Sequence, residues 1–383
     1  MRKTISVLMV SLIITLLLSF GASAEAVPEM QVEINAKSAC LMDADSAEIL
    51  MAKNIDDRVY PASVTKIMSL LLICEALDEG KIMLDSIVTV SENASEKGGS
   101  QIWLKQNEQM SVGDLIKATA VASANDACTA LGELVAGSDE AFVSLMNKRA
   151  RELGMTNTHF ENCTGLDDTT DNHYTTARDV ALMSRELLKH KRILSYTTIW
   201  TDTLRGGKTE LTNTNKLVRF YQGATGLKTG TTSKAGCCVS ATAERDGLRL
   251  IAVVMGSDNS NDRFTAARKM LDWGFANYSS VLLKPDMSNV TGVKVINGFE
   301  EKLNPVCVEE KRFLIKKGEQ GDIQQSIELP VDLAAPVEKG QIIGYIVFNL
   351  NGEEVERYKL ISEKRIDEIG IIEKYRRIIK NIL

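Results

Sequence analysis

Pro61-Ala62-Ser63-Val64-Thr65-Lys66-Ile67-Met68-Ser69-Leu70-Leu71-Leu72-Ile73 sets a hydroxyl and an amine at the mouth of an apolar run. The run reads as a buried helix ending near Gly80, so Ser63 and Lys66 share one face a turn apart. Ser123-Ala124-Asn125 and then Lys228-Thr229-Gly230 follow in order along the chain. The Lys228 motif stands just before the apolar run Cys237 to Ala243, joined through Asp246-Gly247 to Leu248 to Gly256, and the pair reads as a hairpin of sheet strands. One motif therefore sits on a helix and another on a strand edge, where a cleft can form between them. Taken singly the motifs are weak, because S-x-x-K occurs by chance roughly once in a chain of this length. Their order and setting make them informative.

A serine hydroxyl is a poor nucleophile until a neighbouring base takes its proton. Lys66 is placed to do so only if it is neutral, and the reference lysine pKa of about 10.4 has to fall. Partial burial and a second cation both disfavour the charged form, and Lys228 is the candidate cation. Ser123 can relay the proton to a leaving amine, Asn125 can hold a substrate amide, and Lys228 with Thr229 can grip a terminal carboxylate. The chemistry implied is acyl transfer through a serine ester.

With 383 residues and 44% hydrophobic content the chain can bury a sizeable core and is expected to form two domains. Residues 1–24 have the layout of a secretory signal peptide: Arg2 and Lys3, an apolar stretch from Val7 to Phe20, then Ala22-Ser23-Ala24. Its removal takes the formal net charge from -6 to -8, since Arg2 and Lys3 are its only charged residues, and this argues against a nucleic-acid partner. The seven cysteines are odd in number and scattered through apolar runs, so they read as buried hydrophobes. Neither they nor His159, His173 and His190 show ligand spacing, and no metal or other cofactor is expected.

Ser38 to Met42 and Glu48 to Met51 flank Asp43-Ala44-Asp45-Ser46 as a hairpin leading into the Ser63 helix. From Val112 to about Leu188 the pattern is mainly helical, and Thr176-Ala177-Arg178-Asp179 has the form of a helix start. Strands, then helices, then strands indicate an α+β fold with helices around an antiparallel sheet. Past Trp273-Gly274-Phe275 the composition shifts to short β runs, including Ile342 to Phe348 and Val355 to Ile361 about Asn351-Gly352. The expected layout is a catalytic domain over 27–284, a small all-β C-terminal domain over 285–362 and a terminal amphipathic helix over 363–383. That last segment aligns Ile366, Ile369, Ile372, Tyr375, Ile379, Ile382 and Leu383 in one stripe with Lys374, Arg376, Arg377 and Lys380 nearby. This suits an anionic membrane surface, with packing on the β domain or a coiled-coil contact as the alternatives. Trp103 is assigned to core packing, with the rim of the cleft as its other place, and His173 to a structural loop.

The three motifs are the signature of penicillin-binding proteins and class A β-lactamases. The chain resembles the D-alanyl-D-alanine carboxypeptidases of the penicillin-binding protein 5 type over nearly its whole mature length. Further matching stretches are Ala136-Gly137-Ser138, Glu152-Leu153-Gly154-Met155, Thr164-Gly165-Leu166-Asp167, His173-Tyr174-Thr175-Thr176-Ala177 and Gly226-Leu227-Lys228-Thr229-Gly230. The resemblance implies a β-lactamase/transpeptidase-like domain in which Ser63 is the acylated nucleophile, Lys66 its general base, and Ser123 and Asn125 the proton and substrate network. It implies Lys228, Thr229, Gly230, Thr231 and Arg263 as substrate-binding residues, with the N–H groups of Ser63 and Thr231 as oxyanion hole. The implied partners are the peptidoglycan stem pentapeptide and β-lactam antibiotics, at the outer face of the bacterial cytoplasmic membrane.

The chain departs from the pattern at Thr231, where some relatives carry histidine, at Cys238 in place of a frequent tyrosine, and at Phe160 to Gly165. A β-lactamase is the nearest rival, but no E-x-x-L-N element follows Leu153 to supply its water-activating glutamate. A penicillin-sensing or wall-binding protein with a weak or dead site is the rival from another class.

Overall fold

The computed structural model describes residues 28–168, 170–318 and 323–382, so the expected leader over 1–24 lies outside the described residues. The principal elements of the first part are β1 (Ser38–Asp43), β2 (Ile49–Lys53), α1 (Lys66–Asp78), α2 (Asn125–Ala136), α3 (Asp139–Glu152), α4 (Ala177–Lys189), β3 (Ala224–Thr232), β4 (Gly236–Arg245), β5 (Leu248–Ser257) and α5 (Ser260–Asn277). The five strands form one antiparallel sheet in the order β2-β1-β5-β4-β3, which leaves β3 at an edge.

Alternation explains why the central strands read as unbroken apolar runs. In β1, Cys40 and Met42 face the core formed with α1, α2, α3 and α4, while Ala39 and Leu41 face the core under α5. In β5, Ile251, Val253 and Met255 take the first side and Leu250, Ala252 and Val254 the second. Both faces are covered, so polar alternation has no place. Asp246 and Gly247 both have positive φ, 51° and 77°, and turn the chain between β4 and β5 as the sequence indicates. Thr176 caps α4 through a bond from Asp179 N to its hydroxyl, 3.1 Å.

The helix carrying Ser63 differs in detail from the sequence expectation. Ala62–Thr65 is a single 3-10 turn, and the α-helix begins at Lys66. The reason is close packing, since Gly165 lies against the Ala62 carbonyl and Gly230 against the Ser63 amide. Trp103 is not in the core: the residue is 74% exposed.

A separate all-β domain follows, with β6 (Tyr278–Leu283), β7 (Lys311–Lys316), β8 (Ile342–Leu350) and β9 (Glu353–Ile361) among its strands, and α6 (Ile371–Ile382) after it. β6 pairs antiparallel with β7, so the pairing begins before the expected domain boundary at 285. The terminal helix is shorter than the 363–383 read from the stripe. Ile366 and Ile369 are buried against the β domain, with Ile366 exchanging backbone hydrogen bonds with Val337, and only from Ile371 does the chain coil. The spacing of those two isoleucines fits a helix, but the β core claims them first.

Candidate active site

Lys66 is fully buried, and its Nζ has three partners: Ser63 Oγ at 3.0 Å, Asn125 Oδ1 at 2.5 Å and the Thr164 carbonyl at 2.8 Å. Burial pushes its pKa down to about 8. The partners fix the direction of the neutral amine. Asn125 Oδ1 and Thr164 O can only accept, so they take the two N–H bonds, and the remaining lone pair faces the one partner able to donate, the Ser63 hydroxyl.

Asn125 is held in turn, its Nδ2 donating to Gly98 O at 2.6 Å and its backbone N to Ser100 O at 2.7 Å. Just ahead of it, Ala118–Ala122 forms a π-type turn and Ser123 adopts φ 63°, a left-handed conformation uncommon outside glycine. The Ser123 hydroxyl is buried and has no hydrogen-bond partner among the described residues. A strained backbone that presents an unsatisfied hydroxyl is the kind of feature found where a ligand completes the network.

The edge strand β3 closes the other side. A Cβ on Gly230 would lie 2.8 Å from Ser63 N and 2.9 Å from Pro61 O, so glycine is required for the strand to approach the nucleophile's turn. Lys228 is buried and held well below the usual ammonium range, first by desolvation and then by the charges of Lys66 and Arg263. The sequence pointed to burial and a second cation, Lys228, as the causes that depress Lys66, and in the structure burial is the larger cause for both lysines. Lys228 Nζ donates to Thr229 O at 2.9 Å, and Thr229 Oγ1 donates to Thr214 Oγ1 at 2.7 Å.

Arg263, on α5, is 7% exposed and its Nη1 donates to Gly230 O at 2.9 Å and Thr231 Oγ1 at 2.8 Å. It braces the strand at its closest approach to Ser63. Thr231 Oγ1 also donates to Gly230 O at 2.8 Å. The structure thus brings Ser63, Lys66 and Asn125 into direct contact and sets Lys228, Gly230, Thr231 and Arg263 on the opposing wall.

Three further residues shape the site without belonging to the three motifs. Thr164 supplies a carbonyl, a group with no side-chain signature. Asn162 Oδ1 accepts from Thr164 N at 3.1 Å and Gly165 N at 2.6 Å, folding the loop that carries that carbonyl. Gly165, at φ 85°, is the legible signal, since its Cβ would fall 1.8 Å from Ala62 O. His173 is packed below this loop: its Nδ1 accepts from Glu161 N at 3.2 Å, so Nε2 carries the proton and donates to Thr65 Oγ1 at 2.9 Å. Burial lowers its pKa to about 4.

Residues 23–259 match the family described as D-alanyl-D-alanine carboxypeptidase, and residues 278–368 match the penicillin-binding protein 5 C-terminal domain. The chain is 39% identical to D-alanyl-D-alanine carboxypeptidase DacF of Bacillus subtilis, covering 97% of this chain and 96% of that one. It is 37% identical to DacC of Escherichia coli over 88% of this chain and 86% of the relative. Among solved structures, penicillin-binding protein 5 of Haemophilus influenzae superposes with a TM-score of 0.74 at 33% identity, covering 88% of this chain and 99% of that one. Penicillin-binding protein D2 of Listeria monocytogenes in its cefotaxime-bound form gives a TM-score of 0.60 at 33% identity, over 64% of this chain and 100% of that one.

Proposed function

We propose that this chain, which belongs to the D-alanyl-D-alanine carboxypeptidase family, is a serine-type carboxypeptidase that removes the terminal D-alanine from peptidoglycan stem pentapeptides. The observation that carries the reading is the Lys66 amine, buried, depressed to about 8 and aimed at Ser63 Oγ by two acceptors that leave it no other proton to take.

Neutral Lys66 takes the Ser63 proton as Oγ attacks the penultimate D-alanine carbonyl. The N–H groups of Ser63 and Thr231 hold the resulting oxyanion, an arrangement supported by the close approach of Gly230 to the Ser63 amide. Ser123, whose hydroxyl awaits a partner, passes the proton from Lys66 to the leaving nitrogen. The C–N bond breaks, D-alanine departs, and water later cleaves the Ser63 ester. Lys228 and Thr229 receive the substrate's terminal carboxylate, and Arg263 is a positioning residue that holds Gly230 and Thr231 in place.

A β-lactam is attacked in the same way, but its leaving nitrogen stays tethered to the acyl group, so the ester persists. No carboxylate hydrogen-bonds to Ser63 or Lys66 among the described residues, which supports a slow deacylation and a peptidase over a β-lactamase.

The reading places the enzyme outside the cytoplasmic membrane, anchored to its outer face. In support, α6 leaves Ile371, Ile372, Tyr375 and Ile379 exposed, while Arg377 ties the helix to the β domain through Gly298 O at 3.1 Å. No helix among the described residues is long and apolar enough to cross a membrane. Co-sedimentation of the full chain with anionic vesicles, lost on truncation after residue 370, is the expected result.

The activity test is release of D-alanine from a diacyl-L-Lys-D-Ala-D-Ala peptide. Release by the wild type and none by Ser63→Ala is the expected outcome. Absence of release by the wild type, with penicillin still bound, would point to a sensing protein.

A further inference from the structure

Trp103 stands out against the rest of the fold. It is a bulky residue at φ 60°, 74% exposed, between Ile102 and Leu104, which are both buried. The conformation is imposed by Asp126, a fully buried carboxylate whose Oδ2 accepts from Leu104 N at 3.0 Å and Ile102 N at 3.2 Å. Pinning the two flanking amides throws the indole outward. Asp126 follows Asn125, and Asn125 itself grips Gly98 O and Ser100 O, so the strap that displays Trp103 hangs from the candidate active site.

Beside the indole lies an open hollow of about 770 Å3, walled in part by Lys105, Glu108, Arg205 and Lys208. Glu108 and Arg205 neutralise each other at 2.7 Å, and Arg205 is further engaged by Ile102 O and Thr209 Oγ1, each at 2.9 Å. Lys105 and Lys208 are exposed, and neither ammonium has an ion pair or hydrogen bond among the described residues. The hollow therefore joins an apolar aromatic face to a net positive charge, on the strap whose preceding residues Gly98 and Ser100 are held by Asn125.

We propose that this hollow is a subsite for the acidic portion of the donor peptide upstream of the scissile bond, with an aliphatic segment laid on Trp103 and a free carboxylate between Lys105 and Lys208. The proposal rests on the carboxypeptidase reading above, and it makes Trp103 a determinant of which donors are used.

The test compares three donors on the full chain: a short diacyl-L-Lys-D-Ala-D-Ala, a pentapeptide with a γ-linked D-glutamate bearing a free carboxylate, and the same pentapeptide with that carboxylate amidated. The expected wild-type result is a KM for the acidic pentapeptide about tenfold below that for the amidated one, the size of one screened ion pair backed by a stacking contact. In Trp103→Ala and in the Lys105→Met/Lys208→Met double variant the ratio falls below about twofold, and the rate of benzylpenicillin acylation, read alongside, reports that the fold is intact. An unchanged ratio in both variants, or no preference in the wild type, overturns the subsite while D-alanine release from the short donor still upholds the enzyme. If no donor releases D-alanine the enzyme reading fails, and calorimetric binding of the two pentapeptides to Ser63→Ala then decides the subsite by the same ratio.

Discussion

At pH 7 an ordinary lysine is neutral in about one molecule in three thousand, whereas a lysine titrating at about 8 is neutral in about one in eleven. Burial of Lys66 therefore raises the population of the competent base by about 300-fold without any change in the serine. If acylation needs the neutral amine, the second-order rate of reaction with benzylpenicillin follows its titration. The rate rises about ninefold from pH 6 to 7, about fivefold from 7 to 8, and less than about twofold from 8 to 9. Stopped-flow measurement of the acylation rate over pH 5.5–10 gives the curve directly. A profile flat from pH 6 to 8, or one that keeps climbing about tenfold per pH unit beyond 9.5, would refute the assignment. Lys66→Arg, whose side chain never becomes neutral, loses at least about 1000-fold at every pH. The same depression bears on stability. Between about 8 and the unfolded value near 10.4 the unfolded chain binds the extra proton, so unfolding free energy increases across that window as pH rises.

Gly230→Ala forces a Cβ to within 2.8 Å of Ser63 N and is expected to lower the acylation rate by about 100-fold or more through displacement of the oxyanion donors, with a stability cost of about 1–3 kcal/mol in thermal melts. His173 is buried neutral with its pKa lowered to about 4, so its contribution is whole above about 6.5 and disappears as pH falls toward 4. Denaturant titrations should show about 3 kcal/mol lost over that window, and His173→Gln should flatten the pH dependence. Arg263→Gln removes the guanidinium donor from both Gly230 O and Thr231 Oγ1, costing about 1–3 kcal/mol and raising KM for the short peptide, whereas Arg263→Lys restores stability in part.

The features legible in the sequence were those carried by side-chain type and period. The apolar runs of β4 and β5 and the turn at Asp246-Gly247 announced the sheet, and the order of the three motifs pointed to a candidate site in which the structure puts Lys66 in contact with Ser63 and Asn125. The illegible parts rest on backbone and on competition between partners. The second acceptor on Lys66 is a carbonyl, Thr164 O, that any residue could supply, placed there by Asn162 and Gly165. Trp103 looked like core because a large aromatic residue between apolar neighbours usually is. Only the buried carboxylate of Asp126, distant in sequence, turns it outward. Ile366 and Ile369 kept helical phase with α6, yet the β domain offered them a deeper apolar contact than a helix surface does.

One hydroxyl, poised by one buried amine, is expected to become covalently acylated. Incubation of the protein with benzylpenicillin, followed by proteolysis and mass spectrometry, locates the adduct. The expected result is a single penicilloyl ester on the peptide containing Ser63, absent in Ser63→Ala and formed far more slowly in Lys66→Arg. An adduct on any other residue, or an equal yield of adduct in Ser63→Ala, would contradict it.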